Sequence, residues 1–253
     1  MLLHPTIDKL RSLKLIGMIS ALQEMQQSGL ADGLGFEERL GLLVDREMTE
    51  RDNRGIQTRL KMARLRQNVT CEQIDYRHAR GLDRSLMASL VSCDWIRRHN
   101  NCLITGPTGV GKSFIACALA SKACRDGWKV SYVRTNRLLA ELALAKADGS
   151  HAKKLNTLAR YDLLVLDDFG VASFTQENAR DLLEILDDRY DRRSTIVASQ
   201  LPIDVWHNAI ADPTIADAAL DRLIHNAHRV ALTGDSLRRT QALLKENEAD
   251  GLD

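Results

Sequence analysis

A chain of 253 residues, 44% apolar and 27% charged, has room for one large domain or a medium and a small one, and has the make-up of a soluble globular protein. Aromatic residues make up only 4%, which argues against an aromatic platform for stacking single-stranded bases. The net charge of +1 excludes a globally polycationic protein, so any affinity for nucleic acid must come from uneven placement of the 35 Lys and Arg.

The amino-terminal stretch "MLLHPTIDKLRSLKLIGMISALQEM" breaks its leucines with Asp8, Lys9, Arg11 and Lys14. A secretory signal would keep one uninterrupted apolar core, and no run approaches the ~20 residues of a membrane span. Leu10, Leu13, Ile16 and Gly17, then Ile19 and Leu22, recur at helical spacing and predict an amphipathic helix. The "SGLADGLG" segment, residues 28–35, holds three glycines and predicts a loop. A second helix follows with Phe36, Leu40, Leu43 and Val44 on one face.

Its continuation is basic. Residues 46–66 carry seven cations, Arg46, Arg51, Arg54, Arg59, Lys61, Arg64 and Arg66, against Glu47, Glu50 and Asp52. Two readings stand open: a solvated helix face with i,i+4 pairing, or contact with a nucleic-acid backbone, for which Arg59, Lys61 and Arg64 are candidates. Residues 1–70 are thus expected to form a small all-helical domain, and 71–253 a second one. Cys71, Cys93, Cys102, Cys117 and Cys124 form no C-x-x-C pair and have no histidine cluster beside them. Cys102, Cys117 and Cys124 sit in apolar surroundings and read as buried inert thiols, with a reducing cytoplasm as the expected setting.

From about residue 70 short β-rich runs alternate with helical patterns. "NCLIT" (100–104), "KVSYV" (129–133), "DLLVLDD" (162–168), "STIVAS" (194–199) and "RVALT" (229–233) predict five strands. The alternation predicts an α/β fold, a parallel sheet with helices on both faces. Ligands of such sheets bind at the carboxyl ends of the strands.

One such end carries "GPTGVGKSF", residues 106–114, between a predicted strand and a predicted helix. Gly106, Gly109, Gly111, Lys112 and Ser113 fit the phosphate-loop pattern in every position. The glycines let backbone amides converge on a phosphate, with Pro107, Thr108, Val110 and Phe114 completing the cradle. Lys112 supplies a point charge between the β and γ phosphates, and the Ser113 hydroxyl a ligand for Mg²⁺. Asp167, at the tip of a buried strand, is expected to hold the Mg²⁺ through water. Asp168 is expected to orient or deprotonate the attacking water, with the alternative of a strand-end turn former. Beyond the next strand Gln200 is the first choice for reaching the γ-phosphate, with Ser199 second. Arg222, in "DAALDRLIHNAHRV", is a candidate to complete a neighbouring subunit's site; its alternative is a salt bridge to Asp221 or another nearby acid. Arg238 or Arg239 in "GDSLRR" is a candidate cis contact to the γ-phosphate.

The order "GPTGVGKS", "DLLVLDDFG", "STIVASQLP", "AALDRLIHNAHRVALTGDSLRR" resembles the AAA+ ATPases of the initiator and helicase-loader clade. Within that clade the chain is similar to the IstB-like helper ATPases of insertion-sequence transposition, and "LRSLKLIGMISALQEM" and "FEERLGLLVDREMTERDNRGIQTRLKMARLR" extend the resemblance over nearly the whole chain. It implies a three-layer AAA+ domain, an ATP and Mg²⁺ cofactor pair, ATP-dependent homo-oligomers on double-stranded DNA, and a partner transposase. Carried over by position, Lys112 and Ser113 bind nucleotide and Mg²⁺, Asp167 is the Walker B acid and Arg222 the arginine finger. The clade's extra helices facing DNA correspond to residues 133–160, where Arg134, Arg137, Lys153 and Lys154 are candidates. The stretch after "GDSLRR" is too short for the full lid of many AAA+ proteins. A replicative helicase loader related to DnaC is the alternative within the clade. A small-molecule kinase is the alternative outside it, and the short tail and the Asp167–Asp168 pair argue against it. The expected setting is the bacterial cytoplasm.

Overall fold

The computed structural model describes residues 3–28, 33–77 and 80–237. Two compact units divide between Thr58 and Arg59, inside one long helix.

The first unit holds α1 (Leu3–Ser12), α2 (Ile16–Ser28) and most of α3 (Phe36–Ala63). Periodicity alone predicts one helix where α1 and α2 stand. The chain breaks because Lys14 takes a φ of 60°, and the amides of Lys14 and Leu15 turn back to the carbonyls of Arg11 and Leu10. This is a Schellman ending made without the usual glycine. α2 then crosses α3 at Gly17, where a β-carbon would lie 2.6 Å from Glu47 Cα and 2.7 Å from Arg46 O. Glu47 is 5% exposed, and its carboxylate accepts from the amides of Gly17 (2.7 Å) and Met18 (3.3 Å), satisfying orphan donors at the start of α2. Burial opposes the charge, but the Arg51 guanidinium and these two amides hold Glu47 below the usual carboxylate range. Gly17→Ala is expected to force the two backbones apart and destabilise the helix pair by roughly 1–3 kcal/mol. Amide exchange of Gly17 and Met18 checks this, with nucleotide binding as the control that stays unchanged.

Phe36, Leu40 and Val44 do share a face of α3, and it is exposed, Phe36 by 80%. Three of the basic run's cations make ion pairs within the unit: Arg46 with Glu24, Arg51 with Glu47, and Arg54 with Glu47 and Glu50. The i,i+4 pairs Arg51–Glu47 and Arg54–Glu50 are of the kind a solvated helix face carries.

The second unit begins before the change of pattern near residue 70, because Leu60, Ala63 and Leu65 pack into its core. Its sheet has β1 (Asn101–Thr105), β2 (Val130–Arg134), β3 (Leu163–Phe169), β4 (Ser194–Ser199) and β5 (Ala227–Ala231). The order is β2-β3-β4-β1-β5 and every pairing is parallel. Each strand lies within two residues of its predicted place. Side chains alternate as a pleated sheet requires. Cys102, Ile104 and Val165 face one apolar layer with α4 (Arg84–Val91), α5 (Asp94–Arg97) and α6 (Lys112–Arg125). Leu103, Leu164 and Leu166 face the other, with α7 (Thr135–Ala147), α8 (His151–Ala159), α9 (Gln176–Arg189), α10 (Trp206–Ala209) and α11 (Pro213–Ile224). Helix–sheet–helix layering follows, with β1 and β3 ending at one edge.

Two buried polar side chains fix the opposite edge. Asn101 donates to the carbonyls of Arg222 (3.0 Å) and Leu223 (3.2 Å) and accepts from the Thr195 amide (2.9 Å), tying α11 to β1 and β4. Arg189 donates to the carbonyls of Leu158, Tyr161 and Ser194, joining α8, α9 and β4. Burial pushes the Cys102 thiol up to about 12 and the Cys124 thiol up to about 11, so neither is a reactive thiolate.

Candidate nucleotide site

The phosphate loop leaves β1 and enters α6 with Gly106, Gly109 and Gly111 at φ of 146°, 86° and 102°. Close neighbours explain why each lacks a side chain. A β-carbon would lie 2.3 Å from Leu232 O at Gly106, 2.0 Å from Ser236 Oγ at Gly109, and 2.7 Å from Arg80 Nη1 at Gly111. The segment after β5 therefore walls one side, fixed by the Leu237 amide to Gly109 O (3.0 Å) and the Leu232 amide to Thr105 O (2.7 Å). Arg80 braces the loop from behind: it is 5% exposed and donates to Val110 O (3.2 Å) and Asp75 O (2.8 Å).

No side chain caps the start of α6, so its first-turn amides keep their capacity for an anion. Lys112 is buried, and Nζ donates to the carbonyls of Gly106 and Pro107, both at 2.7 Å. The Thr108 hydroxyl donates to Gln200 Oε1 at 2.6 Å, which brings Gln200 to the loop. Ser199 turns away: its hydroxyl donates to Phe169 O (2.7 Å) and accepts from the Leu201 amide (3.0 Å). Of the two candidates at the end of β4, Gln200 is the one at the site.

The acid pair sits in a β-bulge. Leu166 pairs with Val197 and Phe169 with Ser199, so β3 spends one residue more than β4, and the irregular residues are Asp167 and Asp168. Asp168 takes a φ of 56°, and its amide donates to Asp167 Oδ1 at 3.0 Å. Bulges re-aim side chains, and here two consecutive acids escape strict alternation. Asp167 is 1% exposed. Its Oδ2 accepts from the Tyr132 hydroxyl at 2.5 Å, and the Thr135 hydroxyl donates to its carbonyl at 3.0 Å. Burial first, and then the Asp167 hydrogen bond, push the Tyr132 phenol far up. Arg66 Nη1 stands 3.8 Å from Asp167 Oδ2 and 3.9 Å from Asp168 Oδ2.

Tyr132, Arg66, Arg80 and Ser236 are site neighbours that sequence reasoning missed. A tyrosine on a strand beside the acid strand carries some signal, since a buried hydroxyl needs a partner. Arg66 carries none, because it is remote from the loop in sequence and belongs to a basic run.

Hard oxygen donors at Ser113 and Asp167 fit Mg²⁺. Among the described residues no three His, Cys, Asp or Glu cluster as a metal cage would need.

Arg222 is not brought to this site. Its Nε donates to Asp187 Oδ1, and Nη1 donates to Ala218 O at 2.7 Å. Of the DNA candidates, Arg134 and Lys153 are exposed. Arg137 (3.1 Å) and Lys154 (2.7 Å) both pair with Glu141. Arg59 donates to Cys124 O at 2.7 Å, at the end of α6. Lys61 and Arg64 are exposed near the end of α3. Arg238 and Arg239 lie outside the described residues.

A five-stranded parallel sheet with a phosphate loop after β1 and an acid pair at the end of β3 defines a nucleotide-binding protein of the AAA+ type. The chain belongs to the IstB-like ATP binding protein family, whose model matches residues 8–245. It is 52% identical over 241 residues to a Sinorhizobium fredii protein described as an insertion sequence ATP-binding protein, y4pL, covering 95% of this chain and 98% of that one. It is 31% identical to the IS21 ATP-binding protein of Pseudomonas aeruginosa, covering 99% and 92%. Among solved structures, DnaI superposes with a TM-score of 0.59 at 17% identity, covering 70% of this chain and 94% of that one. DnaA bound to AMPPCP and single-stranded DNA gives 0.56 at 18%, covering 75% and 57%. Identities this low speak to the fold alone. Among the described residues no helix is long and apolar enough to cross a membrane.

Proposed function

We propose that this chain is a DNA-binding AAA+ ATPase that assembles on duplex DNA with ATP, prepares target DNA and stimulates a partner transposase. Near-full-length kinship with insertion sequence ATP-binding proteins carries the reading. In the site, loop amides and Lys112 would hold the phosphates, and Ser113 and Asp167 would hold Mg²⁺, which would supply charge neutralisation to the phosphates. Asp168 orients the attacking water, and Gln200, fixed by Thr108, reads the γ-phosphate. Arg222 acts in a neighbouring subunit's site.

The bulge makes Asp168 separable from folding. Asn tolerates a left-handed φ as Asp does, so Asp168→Asn is expected to fold and bind ATP while turnover falls about 10²-fold. Phosphate release at saturating ATP measures it. Wild-type turnover would make Asp168 a turn former and leave water orientation to Gln200.

Contacts to DNA fall on phosphates, through Arg134, Arg137, Lys153, Lys154, Lys61 and Arg64, and so weaken steeply with salt. The decisive experiment is anisotropy with labelled duplex and single-stranded DNA, with ATP, ADP or neither. Tight, salt-sensitive duplex binding only with ATP is the expected result, and a transposase pull-down follows. Preference for single strands would move the chain to the helicase loaders.

A further inference from the structure

The acid pair that receives Mg²⁺ is also the anchor of the segment that follows α3. α3 ends at Ala63, which is fully buried. Arg64 then turns with a φ of 52°, and residues 65–70 run without regular structure to a short turn at Cys71–Gln73. Leu65 and Val69, on either side of its middle, pack against the core. The Arg66 side chain reaches across to Asp167 and Asp168 at 3.8 and 3.9 Å.

The contacts differ in kind. Tyr132 donates a short, buried hydrogen bond to Asp167 Oδ2. Arg66 is 35% exposed and beyond hydrogen-bond distance of either carboxylate, so its hold on them is charge alone. Its long side chain can swing away at little cost in packing. A divalent cation at Asp167 would stand within a few ångströms of this guanidinium and repel it, while drawing on the same two carboxylates. Tyr132, being neutral, can keep its hydrogen bond beside either cation.

We propose that Arg66 is a positioning residue that competes with Mg²⁺ for the Asp167–Asp168 pair, so that loading Mg²⁺–nucleotide frees the Arg66 tether and loosens the backbone of residues 64–70 around the packed Leu65. The inference rests on the nucleotide-site reading above and adds a route out of it. The loosened run is continuous with α3, so occupancy at Asp167 is felt at the end of that helix. Arg66 thereby sets how much Mg²⁺ the site requires.

The test uses the full chain, Arg66→Gln, which removes the charge, and Arg66→Lys, which keeps it. Mg²⁺ is titrated against binding of a fluorescent ATP analogue, and amide exchange of residues 64–70 is followed with nucleotide, with and without Mg²⁺. Coulomb repulsion between a guanidinium and a dication at such a distance, screened near a protein surface, predicts a Mg²⁺ midpoint about tenfold lower in Arg66→Gln. Arg66→Lys is expected to stay near wild type. Exchange in 64–70 is expected to rise with Mg²⁺ in the wild type, and to be fast with or without it in Arg66→Gln. An unchanged or higher midpoint in Arg66→Gln overturns the proposal, as does exchange indifferent to Mg²⁺ in the wild type. Failure of the wild type to bind Mg²⁺–nucleotide at all would overturn the site assignment itself, and this inference with it.

Discussion

Lys112→Ala is expected to abolish ATP-dependent assembly and to weaken nucleotide binding by roughly 10²-fold, the worth of two or so charge-assisted hydrogen bonds at ten-fold per 1.4 kcal/mol. The ammonium is already in place: buried at the root of α6, it is held by the Gly106 and Pro107 carbonyls at 2.7 Å each. Little ordering of the side chain remains to oppose binding, and with two of its three donors on those carbonyls the gain comes from its charge and any carbonyl bond exchanged for a phosphate oxygen. Alanine leaves the α6 backbone and the three glycines untouched, and thermal melting is expected to change by far less than nucleotide affinity does. Anisotropy of a fluorescent nucleotide and sedimentation with ATP and DNA read the two effects. Normal assembly by Lys112→Ala would sink the assignment of the phosphate loop.

What was legible in the sequence is what depends on neighbours along the chain. Strands β1 to β5, the loop from Gly106 to Ser113 and the acids at the end of β3 each follow from a local pattern of apolar, small and charged residues. The break at Lys14 was hidden, because a left-handed lysine breaks no periodicity. The bulge at Asp167 and Asp168 is a property of register between β3 and β4, which no single strand records. Arg66 and Tyr132 reach Asp167 from 101 and 35 positions away along the chain. Only the fold makes them neighbours. Sequence alone prefers Gln200 over Ser199 without a geometric reason, and the fold supplies one: the Ser199 hydroxyl is turned to Phe169 O, while Gln200 meets Thr108 of the loop.

Arg222→Ala is expected to bind ATP as the wild type does and to hydrolyse it about 10³-fold more slowly, the scale of a missing arginine finger. The argument is one of distance. The Arg222 carbonyl is bonded by Asn101, at the amino end of β1, whereas the phosphate loop leaves the carboxyl end of that strand. Five residues of strand put roughly 15 Å between those ends, farther than an arginine side chain reaches. Arg222 is therefore out of reach of its own subunit's phosphate loop, and the proposed finger role requires the site of another subunit. Within its own subunit it is paired with Asp187 on α9, an acid the sequence reading did not single out. That pair, partly exposed, is weak enough to give up when a phosphate is offered instead. Mixing Arg222→Ala with Asp167→Ala is then expected to restore part of the activity that each lacks alone. At one class of hybrid interface an intact acid pair meets an intact finger. Phosphate release across mixing ratios should peak at an intermediate composition. A mixture no more active than its components would argue that Arg222 belongs to the Asp187 ion pair and to nothing else.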